Sequence, residues 1–164
     1  MIIFIKNKHS LHVDDFKFKC CIGKKGSTSK KNEGDKKTPK GSFKIENLYF
    51  RKDRIKKPTT SLKCIEIKKN MGWCNDINVP KKYNRLIQIN DKLAHEKLKR
   101  RDYKYDLLIP IKYNFEKPIA GHGSCIFIHL TRNYKPTAGC IALKEKDFLI
   151  MLRIIKKNSK IKIL

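Results

Sequence analysis

Residues Gly121 to Leu143 read GHGSCIFIHLTRNYKPTAGCIAL, and this stretch combines a strand pattern with a candidate nucleophile. Its side chains alternate between two faces from residue 125 to residue 130, a period of two that predicts a β-strand. The alternation places Cys125, Phe127 and His129 on one face, and Ile126, Ile128 and Leu130 on the other. A loop with a proline then leads to Gly139 and Cys140, after which the chain becomes apolar again. The sequence therefore predicts that His129 ends a buried strand and that the Cys140 thiol lies where a turn re-enters the core.

Strand patterns recur on both sides of this stretch, separated by polar residues, glycines and prolines. Strands are predicted at Met1–Ile5, Leu11–Ile22, Ser42–Ile45, Leu62–Ile67, Arg85–Ile89, Tyr105–Tyr113, Cys125–Leu130 and Lys160–Leu164. Apolar residues at three- and four-residue spacing predict helices at Leu93–Arg101 and Lys144–Lys157. Residues 24–41 are rich in Gly, Ser, Thr and Lys and are predicted to form a long exposed loop. The fold class is therefore mainly β, with a few peripheral helices.

The length of 164 residues fits one ordinary domain, and the 40% of apolar residues are spread along the whole chain. No internal repeat or linker divides the sequence. We therefore expect a single domain over residues 1–164, and a monomer.

A formal net charge of +25, from 40 Lys and Arg against 15 Asp and Glu, dominates the composition. Basic surfaces attract nucleic acids and anionic membranes. Arginine, which recognises phosphates and bases best, supplies only seven of the forty basic residues, and the lysines occur in every segment. This distribution favours a chain-wide bias over a nucleic-acid site, and a basic nucleic-acid-binding module is kept as the alternative from another class.

No stretch approaches the ~20 consecutive apolar residues of a membrane-spanning helix. Residues Met1–Phe4 are followed closely by Lys6 and Lys8, so the pattern of a secretory signal is missing. The sequence predicts a cytoplasmic protein without a membrane span, or a periplasmic or cell-wall protein if another route exports it.

The six cysteines include no C-x-x-C pair, which disfavours a zinc site, and most of them are expected to be small buried residues. Cys140 differs because an imidazole could make it a thiolate, and nearby N–H groups could face the oxygen that becomes negative during acyl transfer. From spacing alone, a buried cysteine and a hydrogen-bonded strand-end histidine remain the alternative interpretation.

Several motifs together resemble the catalytic domain of the L,D-transpeptidase (YkuD-like) family, over roughly residues 11–152. The chain resembles a variant of the family in which the spacing from histidine to cysteine is short and T-A-G-C stands in place of S-H-G-C. The matching stretches are Phe127-Ile128-His129, Pro136 to Leu143, Gly34-Asp35 with Thr38-Pro39-x-Gly41-x-Phe43, Gly72 to Asp76, His95-Glu96-x-Leu98, Tyr105-Asp106-Leu107 and Gly123-Ser124.

The resemblance implies a β-sandwich of mixed sheets and a cysteine acyl transferase that acts on peptidoglycan stem peptides or muropeptides, without metal or organic cofactor. It implies that Cys140 attacks the stem peptide, that His129 accepts the thiol proton, and that the N–H groups of Gly139 and Cys140 form the oxyanion hole. D-Alanine leaves and a thioester remains. An amine acceptor would then give a cross-link, whereas water would give an L,D-carboxypeptidase, a cytoplasmic enzyme of wall-peptide recycling.

The sequence departs from the family pattern where an arginine usually follows the cysteine by two residues, because Ala142 stands there. Arg132 could supply a fork for the substrate carboxylate instead, although a solvated loop charge is equally consistent with its position. Thr137, His95 and Glu96 are further candidates for substrate binding. The predicted helix would equally place His95 and Glu96 on a solvated face. A catalytically silent wall-binding domain is the third functional class.

Overall fold

Short strands joined by turns make up most of the regular structure. The computed structural model describes residues 1–89 and 92–164. The strands are β1 (Ile2–Asn7), β2 (Ser10–Val13), β3 (Phe16–Lys19), β4 (Ser27–Thr28), β5 (Thr38–Pro39), β6 (Gly41–Lys44), β7 (Leu48–Phe50), β8 (Cys64–Glu66), β9 (Met71–Cys74), β10 (Leu86–Gln88), β11 (His95–Lys97), β12 (Leu107–Pro110), β13 (Phe127–Leu130), β14 (Ile141–Leu143) and β15 (Lys160–Ile163). The described residues contain one α-helix, α1 (Glu145–Ile154).

Two five-stranded sheets form the body of the domain, in the strand orders β3-β2-β1-β15-β6 and β14-β13-β12-β7-β8. Parallel pairs join β1 to β15, β13 to β14 and β7 to β8, while the other neighbours in these two sheets, such as β12 and β13, are antiparallel. A three-stranded sheet, β10-β9-β11, and the short pair β4-β5 complete the described strands. The predicted fold class, mainly β with the mixed sheets of a β-sandwich, is confirmed, although one helix replaces the few that the sequence suggested.

Strand β13 is buried on both faces and separates two apolar clusters. Ile126, Ile128 and Leu130 pack in the larger cluster, which includes residues of both five-stranded sheets and of α1. Cys125 and Phe127 belong to a smaller cluster with Trp73 of β9 and Tyr105, and Cys140 lies in that cluster as well. The alternation predicted from the sequence is therefore correct, and the candidate nucleophile lies on the side of the smaller cluster.

The structure corrects the prediction of one strand over Leu11–Ile22. Strands β2 and β3 form a hairpin instead, and its turn is at Asp14, where φ is +51°. Aspartate tolerates the left-handed region because its short side chain can bond to the local backbone.

The helix predicted at Leu93–Arg101 is also wrong, because this segment holds strand β11, which pairs with β9 through His95 and Cys74. Pairing along a neighbouring strand overrides a weak local helical pattern. The helix predicted at Lys144–Lys157 is confirmed as α1, which begins with Glu145 and Asp147 at the positive end of the helix dipole. Its buried face holds Phe148, Met151 and Leu152.

Residues 24–41 are not simply an exposed loop. Strands β4 and β5 pair with each other in this segment, and Lys31, Thr38 and Pro39 are buried. The segment packs against the turn that carries Cys140, and it forms part of the site described below.

Candidate active site

The parallel pairing of β13 with β14 brings His129 and Cys140 together. His129 pairs with Ala142, and the Phe127 N–H approaches the Cys140 sulfur at 3.4 Å. Paired residues of a sheet point to the same face, as do residues two apart along one strand. His129 and Cys140 are therefore diagonal neighbours on one face of the sheet.

Both side chains line a cleft of about 570 Å³. Its walls come from the loop that contains Lys31 and Glu33, from Glu96 of β11 and Arg100 after that strand, and from the turn with Thr137 and Gly139. This volume lies within the usual range of small-ligand pockets. The cleft can therefore hold a small ligand beside the Cys140 sulfur.

Cys140 is an almost buried thiol, with 8% of its surface exposed. Its sulfur donates a hydrogen bond to the Cys125 carbonyl at 3.1 Å. Burial, together with the negative charge of Glu96, raises the pKa of the Cys140 thiol to about 12. The resting sulfur therefore carries its proton at neutral pH.

The His129 ring is held in one tautomer by its backbone contact. Nδ1 lies 2.9 Å from the Leu130 carbonyl oxygen. A carbonyl oxygen can only accept, so Nδ1 carries the hydrogen and Nε2 keeps a free lone pair. Burial lowers the pKa of His129 to about 4, which leaves the imidazole neutral at neutral pH. The pair consists of a thiol and a neutral imidazole, and proton transfer has to accompany attack by the sulfur.

Tyr105 connects Glu96 to His129. The Tyr105 hydroxyl donates to Glu96 Oε1 at 2.5 Å, and its ring packs edge-on against the His129 ring with centroids 5.5 Å apart. The Arg100 guanidinium lies over the Tyr105 ring at 5.0 Å, and its Nη1 is 3.7 Å from Glu96. The sequence places Tyr105 only in a predicted strand and a family motif, because no local pattern shows that Glu96 of β11 lies next to it.

The turn before Cys140 is fixed by hydroxyl groups. Thr137 donates to the Cys140 carbonyl at 2.6 Å and accepts the Gly139 N–H at 3.1 Å. The buried Thr38 hydroxyl donates to the Gly139 carbonyl at 2.8 Å. Gly139 has φ +146°, and a Cβ there would lie 2.9 Å from the Lys37 carbonyl oxygen, so only glycine fits. The Gly139 N–H is thus already bonded, which leaves the Cys140 N–H as the candidate oxyanion donor.

The remaining substrate-binding candidates occupy different places. Glu96 and Thr137 line the cleft. Arg132 is exposed and lies over the Tyr103 ring at 4.1 Å, and His95 bonds through Nδ1 to the Leu93 carbonyl at 2.6 Å. Neither Arg132 nor His95 is among the described residues that line the cleft, so their part in substrate binding stays a prediction.

A further polar wall of the cleft, with Lys31, Glu33 and Ser124, was not recognised from the sequence. Glu33 accepts hydrogen bonds from the Tyr83 hydroxyl and, at 2.6 Å, from the Ser124 hydroxyl. Lys31, whose side chain is only 3% exposed, forms an ion pair with Asp35 at 2.7 Å. The Gly34-Asp35 and Gly123-Ser124 motifs were the sequence signals for this wall. Within residues 1–89 and 92–164, no group of three His, Cys, Asp or Glu side chains is arranged to hold a metal ion.

The fold and the cleft define a mainly β domain that presents a cysteine and a histidine on one face of a mixed sheet. Residues 2–163 match the family model of the L,D-transpeptidase catalytic domain (YkuD). The chain therefore belongs to this enzyme family, and the resemblance drawn from its motifs is confirmed.

Among solved structures, the chain is similar to Bd1075 of Bdellovibrio bacteriovorus, with 14% sequence identity and a TM-score of 0.49. The match covers 99% of this chain and 47% of that one, so this chain spans about half the length of Bd1075. No match was found among curated proteins. In the part of the chain that the structure describes, no helix is long and apolar enough to cross a membrane.

Proposed function

We propose that this protein is a cysteine acyl transferase that acts on peptidoglycan stem peptides, with Cys140 as nucleophile and His129 as base. The observation that supports this proposal most directly is the position of the two side chains on one face of the sheet, beside one cleft. The membership of the chain in an L,D-transpeptidase family suggests the substrate class.

In the proposed first step, the Cys140 sulfur attacks the carbonyl carbon of the diamino acid at the third position of the stem. The thiol proton passes to Nε2 of His129, which is the free nitrogen of the tautomer set by Leu130. The C–N bond to D-alanine then breaks, and His129 returns the proton to the departing amine. A thioester on Cys140 remains.

The oxygen that becomes negative in this step needs a donor. Because the Gly139 N–H is bonded to Thr137, we assign the donor role to the Cys140 N–H rather than to both amides. Transfer to an amine of a second stem would complete transpeptidation, and transfer to water would complete carboxypeptidase action.

A tetrapeptide stem, incubated with the protein with and without an amine acceptor, tests this proposal. We expect D-alanine release that the change Cys140→Ala abolishes, and mass spectrometry should detect a thioester on Cys140. Dimers would identify transpeptidation, and release without dimers would identify hydrolysis. D-Alanine release that survives Cys140→Ala would contradict the assignment of the nucleophile.

A further inference from the structure

A buried lysine lies beside the candidate nucleophile, and the chemistry proposed above gives it no role. Lys31 has 6% of its surface exposed, although lysine is almost never buried unless its charge is paired. Its stem packs over Gly123, where an added Cβ would lie 2.9 to 3.0 Å from three of its carbons. The ammonium group is therefore held at a fixed place in the wall of the cleft.

Asp35 is the ion-pair partner of this ammonium. Burial alone would raise the pKa of Asp35, but hydrogen bonds from Lys31 and from the Asn32 and Lys37 N–H groups hold that pKa below its ordinary value. The carboxylate is therefore ionised, and Lys31 Nζ donates to it at 2.7 Å and to the Asn32 carbonyl at 3.3 Å. An ammonium has three donors, so one N–H of Lys31 remains for a ligand.

The ammonium is also close to the nucleophile. Lys31 Nζ lies 3.6 Å from the position that a Cβ on Gly139 would occupy, and Gly139 precedes Cys140. Lys104 and Lys135 also line the cleft, whereas two nearby arginines have partners of their own. The Arg100 guanidinium makes two hydrogen bonds to Asp102, at 3.0 and 2.7 Å, and Arg132 lies over the Tyr103 ring.

We propose that Lys31 binds the C-terminal carboxylate of the substrate peptide. The carbonyl that faces Cys140 belongs to the residue before the C-terminal one. Successive Cα atoms of a peptide are ~3.8 Å apart, so the carboxylate of the departing residue has to lie within a few ångströms of the carbon under attack. Lys31 Nζ, 3.6 Å from the Cβ position of the residue before Cys140, lies in the wall of the same cleft and presents a spare donor of the right charge. The inference rests on the proposed function for the identity of the peptide, and it adds the requirement for a free carboxyl terminus.

The test uses the Cys140→Ala protein, so that binding is measured without turnover. Calorimetry compares a stem tetrapeptide with the same peptide carrying a C-terminal carboxamide. We expect the acid to bind about tenfold tighter than the amide, the size of effect typical of a charge-assisted hydrogen bond. Adding Lys31→Met, which keeps the stem and removes the charge, should abolish that preference.

Two further variants separate ligand binding from structural damage. Lys31→Met with Asp35→Asn removes the ammonium without leaving an unpaired carboxylate, and it should lose the preference in the same way. Lys30→Met removes an equal charge from an exposed neighbour and should keep the preference. Thermal denaturation of each variant checks that the fold is intact.

Equal binding of acid and amide, a preference that survives in both Lys31 variants, or no binding of either peptide would overturn the inference. The proposed reaction can fail separately. If the protein with Cys140 in place releases no D-alanine, but the Cys140→Ala protein shows the Lys31-dependent preference, the carboxylate site stands and the proposed reaction does not.

Discussion

Burial sets the protonation of both reacting groups at the residue scale. The same desolvation that raises the pKa of Cys140 to about 12 lowers the pKa of His129 to about 4. A preformed thiolate and imidazolium are therefore disfavoured in the unliganded protein. A base with a pKa near 4 is weak, so the ligand or the Cys140 N–H has to stabilise the charge that develops during attack.

The shifted pKa of His129 predicts how stability depends on pH. Its folded pKa, about 4, lies below its ordinary value of 6.5, so the unfolded chain binds more protons between these values. The contribution of neutral His129 is complete above about pH 6.5 and decreases as the pH falls towards 4, by about 3 kcal/mol in all. Urea unfolding of the wild type and His129→Asn across this range measures it. A variant that loses stability as steeply as the wild type would contradict the assignment.

Glu96 provides a second prediction at the residue scale. Burial is the main reason for the raised pKa of Cys140, and the negative charge of Glu96 is the next. Glu96→Gln removes that charge, so the pKa of the thiol should fall and Cys140 should react faster with iodoacetamide near pH 8. The pH dependence of alkylation, followed at Cys140 by mass spectrometry, measures the change. Glu116→Gln alters an exposed carboxylate instead, and the Cys140 pKa should stay unchanged in that control.

At the scale of elements, Thr38 connects two segments that are far apart in sequence. Its hydroxyl accepts the Gly23 N–H at 2.9 Å and donates to the Gly139 carbonyl at 2.8 Å, and the residue is fully buried. Thr38→Val keeps the shape but leaves both groups unpaired, at a cost of about 3 kcal/mol in the free energy of unfolding. Chemical denaturation should show this loss, whereas Thr59→Val at an exposed site should change little. Equal stability of the two variants would mean that the hydrogen bonds of the Thr38 hydroxyl do not stabilise the fold.

The sequence predicted the elements whose pattern is local. The period of two in a strand assigns the residues of β13 to its two faces, and α1 follows from apolar spacing together with acidic residues at its start. Strand β11 could not be predicted, because only its pairing with β9 makes the segment extended. Strand β7 could not be predicted either. Its three residues are all buried, so they show no alternation of apolar and polar side chains.

The candidate site divides in the same way. Cys140 and His129 stand in recognisable motifs, and Glu96 lies in a motif whose local structure was predicted wrongly. Lys31 and Tyr105 line the cleft beside residues from distant parts of the sequence. No spacing along the chain therefore shows their place there. Charged side chains are usually solvated, and the buried position of Lys31 follows only from the packing of residues 31–35 against the Gly123 and Gly139 turns.

At the scale of the whole molecule, the net charge of +25 opposes the compact state through repulsion among like charges. Ion pairs such as that of Lys112 with Glu46, at 2.7 Å, offset only part of it, because 40 basic residues face 15 acidic ones. Salt screens repulsion between exposed charges beyond about 8 Å at physiological ionic strength. The melting temperature should therefore rise by a few degrees between 0.02 and 0.3 M sodium chloride, a change of roughly 1 kcal/mol. A melting temperature that falls with salt would show that attractive ion pairs outweigh the repulsion.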